Sequence, residues 1–334
     1  MPSLKALLAE KRVLLADGAT GTNYFDMGLM AGDPPEMWTT DHPARVAKLH
    51  KDFVDAGADI ILTNTFGCNR HRLKLHKLQD RSFELNKLAA EIARKVADAS
   101  GRTVIVAGSV GPTGELFEPL GQLTHAACVA DFKEQIEGLK AGGADVAWIE
   151  TMSAVEEMKA AMEAAILADL PFTCTGSFDT AGRTMMGLLP EGMVGIGDGL
   201  SEQPVAVGSN CGVGASDLLV SVLPMTAKNP DAIIIAKANC GIPQFKGEHI
   251  HYSGTPELMS DYAHLAIDSG ARIIGGCCGT SAIHLAAMRK AIDSHKPGPR
   301  PDRAGIEAKL GKLVAPPRDA AKDALEPKRE RRRG

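Results

Sequence analysis

The sequence predicts an α/β chain folded as a single (β/α)8 barrel, and three observations carry that expectation. About eight short β-branched runs alternate with longer stretches whose apolar residues recur at helical spacing. The runs are apolar throughout rather than alternating, as parallel strands covered on both faces are. The segments AGAD (56–59), GGAD (142–145) and SGAR (269–272) read as helix-end glycines leading into strands, which repeats one architectural unit along the chain. An open doubly wound sheet is the runner-up. It is disfavoured because no GxGxxG follows the first strand with an acidic residue about twenty positions on.

In order, the expected strands are VLLAD (13–17), DIILTNT (59–65), TVIVAGSV (103–110), DVAWIE (145–150), FTCTGSF (172–178), PVAVGSN (204–210), AIIIAKA (232–238) and RIIGG (272–276). Helical patterns follow most of them: 43–58, 81–99, 125–143, 154–169, 214–227, 256–269 and 280–294. The TIM barrel is expected to occupy residues 1–296. Residues 297–334 change character, with prolines, alanines and the basic cluster KRERRR, and read as a peripheral or flexible basic C-terminal tail. A short helix over DAAKDALE (319–326) fits within it.

Composition excludes several classes. With a net charge of −4 and 4% aromatics, the 334-residue chain lacks the basic surface and stacking platforms of a nucleic-acid binder. No run of about eighteen apolar residues occurs, so no membrane span is expected, and the N-terminus lacks a secretory signal pattern. Seven cysteines, an odd number spread along the chain, indicate a reducing, cytoplasmic setting. There, clustered thiols mean metal or catalysis more often than disulfides.

Chemistry in such a barrel sits at the C-terminal strand ends. Those ends carry Asp17, TNTFG, GSVGPTGE, Glu150, Cys211 in GSNCG, Cys240 in KANCG, and Cys277 with Cys278 in GGCCG. Cys211, Cys277 and Cys278 would converge at one rim. Three thiolates with one open position make a tetrahedral Zn2+ site of the catalytic kind, since soft sulfur favours zinc over magnesium or calcium. The bland alternative is that they are small buried packing residues, the role expected of the other four cysteines, with Cys240 an open case. A zinc on three sulfurs is a weak Lewis acid suited to binding an incoming thiol as thiolate, so alkyl transfer to sulfur is the expected reaction. A zinc hydrolase would want histidine and carboxylate ligands, and no HExxH is present. A scaffold barrel with structural zinc is the non-enzyme alternative.

DGATGT, ADIILTNTF, IET, GSNC and GGCCGT together resemble the homocysteine S-methyltransferase family over roughly residues 10 to 295. That family includes betaine–homocysteine methyltransferase and the homocysteine domain of cobalamin-dependent methionine synthase. The resemblance implies zinc on Cys211, Cys277 and Cys278, homocysteine as methyl acceptor, and Asp17 and Glu150 as carboxylates holding its ammonium. The loop Gly18, Ala19, Thr20 to Thr22 would offer N–H groups to its carboxylate. Trp38, in PPEMWTTDHP, matches the place where betaine-using relatives put a tryptophan, and an aromatic face attracts an onium group. Tyrosines of the animal betaine-using relatives appear here as Gly67 and Thr151, so a full aromatic cage is not expected. LTNTFG, GSFDTAGRT and KANCGIPQ look more like methionine synthase. The expected donor is glycine betaine or a related small onium compound; the alternative is methyl supplied by a separate corrinoid protein. The segment after 297 does not resemble the long dimerisation arm of animal relatives, which implies a different assembly.

Overall fold

The structure, a computed structural model, describes residues 3–246 and 249–315. Seven parallel strands come first: β1 (Leu14–Leu15), β2 (Ile60–Leu62), β3 (Ile105–Val110), β4 (Val146–Met152), β5 (Phe172–Gly176), β6 (Val207–Cys211) and β7 (Ile234–Ala238). A hairpin of β8 (Pro243–Lys246) and β9 (His249–Tyr252) follows, and β10 (Ala271–Gly276) completes the eight-stranded sheet. Each of the eight expected runs contains a strand. β10 pairs with both β7 and β1, and one bridge, Ala16 with Ile60, joins β1 to β2 and closes the (β/α)8 TIM barrel.

Side-chain alternation explains the two-sided apolar runs. Leu14, Ile60, Ile105, Val146, Trp148, Ile235 and Ile273 form one cluster that fills the barrel, while Leu15, Ile61, Val106, Ala147, Ile149 and Ile234 belong to the layer under the helices. Further along the inward columns the residues become polar. Ser109 follows Ala107 on β3, Glu150 follows Trp148 on β4, and Lys237 follows Ile235 on β7. The base is filled by Leu4, Leu7 and Leu8 of the helix Leu4–Glu10.

Two connections depart from the expected pattern. Between β5 and β6 there is only a 3-10 helix, Pro190–Gly195, in a stretch rich in glycine and proline, both poor helix formers. After β7 the chain forms the β8–β9 hairpin, whose Tyr252 packs over Gly279 at the rim. Within the segment expected as a tail, Arg303–Leu310 is a helix capped by Asp302 that buries Ile306 and Leu310. Asp217 then accepts from the amides of Val314 and Ala315. The basic cluster and the helix expected over 319–326 lie outside the described residues. No helix among the described residues is long and apolar enough to cross a membrane.

Candidate functional site

The turn after β10 is built to bring chain close to chain. A Cβ on Gly276 would lie 2.2 Å from Thr280 Cγ2, so the chain can fold back there only without a side chain. Across the rim, Cys211 has φ +60, a left-handed conformation costly for a residue with a Cβ. The strain is held by β6, which pairs Cys211 with Ala238 and Asn210 with Lys237. The result is that the sulfurs of Cys211, Cys277 and Cys278 lie within 4.8 Å of one another, each half-buried. No fourth histidine, cysteine or carboxylate joins them among the described residues.

The sulfurs cannot all carry charge by themselves. Hydrogen bonds from Cys211 and Cys277 draw the Cys278 thiol down to about 3. Donating to Cys277 and Cys278 drives the Cys211 thiol far above its ordinary range. A soft cation would let all three ionise together, so the donor set fits a thiophilic metal ion with a free coordination position. The other cysteines are fully buried: Cys68, Cys128, Cys174 and Cys240. Burial pushes the Cys240 thiol up to about 11, and it does not line the site.

A cavity of about 400 Å3 opens beside the sulfurs. Gly18, Ala19 and Thr20 line it, as do Glu150, Thr151 and Lys237. Glu150 is 7% exposed, and its Oε1 accepts from Ser109 Oγ at 2.5 Å. Asn210 Nδ2 donates to Glu150 Oε2 at 3.5 Å and to Thr151 Oγ1 at 2.8 Å, tying the carboxylate to the Cys211 strand. Burial pushes the Glu150 carboxyl up to about 7, partly offset by Lys237. A cation entering the cavity would favour the ionised form of Glu150 and draw its pKa back down.

Three sequence expectations take a different form. Asp17 is buried and not among the cavity-lining residues. It accepts from Lys237 Nζ at 2.8 Å and from the Leu62 amide at 2.7 Å. Ala19 N–H donates to Thr280 O at 3.0 Å and is spent on the fold. Trp38, 5% exposed, also lies outside the lining. It stacks on Tyr24 with ring centroids 4.9 Å apart, and the Arg45 guanidinium lies 5.1 Å from its ring centre. A cation already covers the face that an onium donor would need.

Two residues of the cavity escaped the sequence reading. Lys237 lies inside a strand, but it shares the inward face with Ile235, and that alternation was the available signal. Glu36 is a buried carboxylate whose Oε1 accepts from the Gly67 amide at 2.8 Å. A Cβ at Gly67 would lie 2.6 Å from that oxygen. A side chain at 67 would therefore press on the Glu36 carboxylate and require it to shift.

Comparison with known proteins agrees with this fold. The model of the homocysteine S-methyltransferase family matches residues 14–292. The chain belongs to the homocysteine S-methyltransferase family. Methionine synthase of Mycobacterium tuberculosis (strain ATCC 25618 / H37Rv) is 30% identical over 315 residues, covering 88% of this chain and 25% of that protein. The Mycobacterium leprae (strain TN) methionine synthase is 28% identical over 302 residues, covering 84% and 24%. The chain thus spans about a quarter of the length of these curated relatives. Among solved structures, the homocysteine methyltransferase MmuM from Escherichia coli, metallated form, gives a TM-score of 0.73 at 24% identity. It covers 86% of this chain and 99% of that one, a likeness of fold.

Proposed function

We propose that this family member methylates the thiol of homocysteine to give methionine, with Zn2+ held by Cys211, Cys277 and Cys278. The observation that carries the reading is the three-sulfur cluster opening on a cavity that also contains Glu150. When bound, zinc supplies ionisation of an incoming thiol near neutral pH, where a free thiol is mostly protonated. Glu150 accepts the ammonium of homocysteine, and Ser109 and Asn210 hold that carboxylate in place. Leu62, Phe66 and Phe25 give the cavity apolar walls.

For the donor we favour a small onium compound, glycine betaine or a sulfonium. Its support is Glu36, a carboxylate lining the same cavity beside Pro35 and Phe66. Burial raises the Glu36 pKa, and a cationic donor would favour its ionised form. A second reading, methyl transfer from a separate corrinoid protein, draws on the methionine synthase relatives. Zinc-loaded protein is incubated with homocysteine and, in turn, glycine betaine, dimethylsulfoniopropionate, S-methylmethionine and a methylcorrinoid protein. Methionine from a small donor alone supports the first reading. Methionine only with the corrinoid protein supports the second, and none with any donor contradicts both.

A further inference from the structure

We propose that Lys237 receives the α-carboxylate of the bound substrate and so restricts the site to zwitterionic amino-acid thiols; this rests on the homocysteine reading above. Among the described residues lining the cavity, Lys237 is the only cation. The other ionisable groups there are Glu36, Glu150 and the three thiols, so an entering carboxylate meets a field of its own sign everywhere else.

The geometry prepares this lysine for a second partner. β7 sets Lys237 in register with Asn210 on one side and Gly275 on the other. A Cβ at Gly275 would come 3.0 Å from Lys237 Cγ, so the glycine leaves the side chain its path toward the cavity. At 2% exposed, the ammonium has one protein acceptor, Asp17 Oδ1 at 2.8 Å, while an ammonium carries three donors. Asp17 in turn is fixed by the Leu62 amide on its other oxygen, so the pair cannot swing away.

The backbone around the cysteine turn offers little competition. The amides of Gly276, Cys277 and Thr280 go to Asp17 O, Ala238 O and Cys277 O. Those of Cys278 and Gly279 go to Asn239 Oδ1 and Thr22 Oγ1. Of the loop expected as a carboxylate cradle, the Ala19 N–H is also spent, on Thr280 O. Glu150 for the ammonium and Lys237 for the carboxylate then divide the two charges of one amino acid.

The test compares L-homocysteine with 3-aminopropane-1-thiol, the same molecule without its carboxylate. Calorimetric Kd values are measured on zinc-loaded wild type, on Lys237→Met, and on Lys237→Met/Asp17→Asn, the last so that no lone buried carboxylate is left. Zinc content and thermal melts are recorded alongside. Wild type is expected to prefer homocysteine by roughly tenfold to a hundredfold, the range of a hydrogen bond to a charged group. In the double variant that preference should fall to near unity, with zinc and the affinity for 3-aminopropane-1-thiol retained. An undiminished preference, or equal loss of both ligands from a folded, zinc-replete variant, overturns the proposal. Wild type that binds neither thiol overturns the homocysteine reading instead, and the proposal with it.

Discussion

Two buried aspartates, Asp59 at the base of the barrel and Asp17 at its mouth, are surrounded quite differently. Asp59 is held by Lys11 at 2.6 Å, Arg289 at 3.1 Å and Arg102 at 3.6 Å, and it accepts from the Leu15 amide at 3.0 Å. Charge there is over-compensated, and the carboxylate clasps β1 where the sheet closes on itself. Asp17 has one cation, Lys237, which must also face Glu150 and the cysteine cluster. Burial works against the Lys237 charge, but Asp17 and Glu150 together hold its pKa above the ordinary value. The base spends its electrostatics on closure; the mouth leaves its anions short of cations, and that shortfall is what a metal ion and a charged substrate can fill.

If this contrast is right, damage at the two ends reads out in different measurements. The largest effect is expected at the mouth. Replacing Cys211, Cys277 or Cys278 by Ala should strip the metal and abolish methionine formation, measured by elemental analysis and turnover. A variant with full metal and rate would remove that residue from the ligand set. Next, Asp59→Ala at the base leaves three cations facing one another and should cost about 3 kcal/mol of stability in denaturant titration. The KM for homocysteine should hardly change; a large rise would mean that the ends are not separable.

Glu150→Gln keeps an acceptor for Ser109 but drops the charge. It should raise the KM for homocysteine roughly tenfold or more while metal content holds, as expected for losing a charge-assisted hydrogen bond. Loss of metal would give Glu150 a different role. The smallest effect is expected for Gly67→Ala, whose methyl would meet the Glu36 carboxylate. It should raise the donor KM several-fold and cost about 1 kcal/mol of stability. An unchanged donor KM would take Glu36 out of donor binding.

The same contrast explains what the sequence could reveal. The strands were legible because two-sided burial writes a continuous apolar run, as in IIIA at 233–236. The thiols were legible because two of them sit between Gly275–Gly276 and Gly279 at a strand end. Lys237 was hidden because its partner Asp17 lies 220 residues away and no local pattern joins them. The surroundings of Trp38 were hidden for the same reason: they are set by Tyr24 and Arg45, contacts made only on folding. The missing helix between β5 and β6 was foreshadowed by glycines and prolines, whereas the docking of Arg303–Leu310 depends on packing against the helices Ala215–Lys228 and Pro256–Asp268.

X-ray absorption at the zinc edge, recorded on wild type with and without L-homocysteine, tests the central claim most directly. Three sulfur neighbours at about 2.3 Å plus one lighter atom are expected without substrate, and four sulfurs with it. Fewer than three sulfurs at the outset, or a coordination shell that homocysteine leaves unchanged, would contradict it.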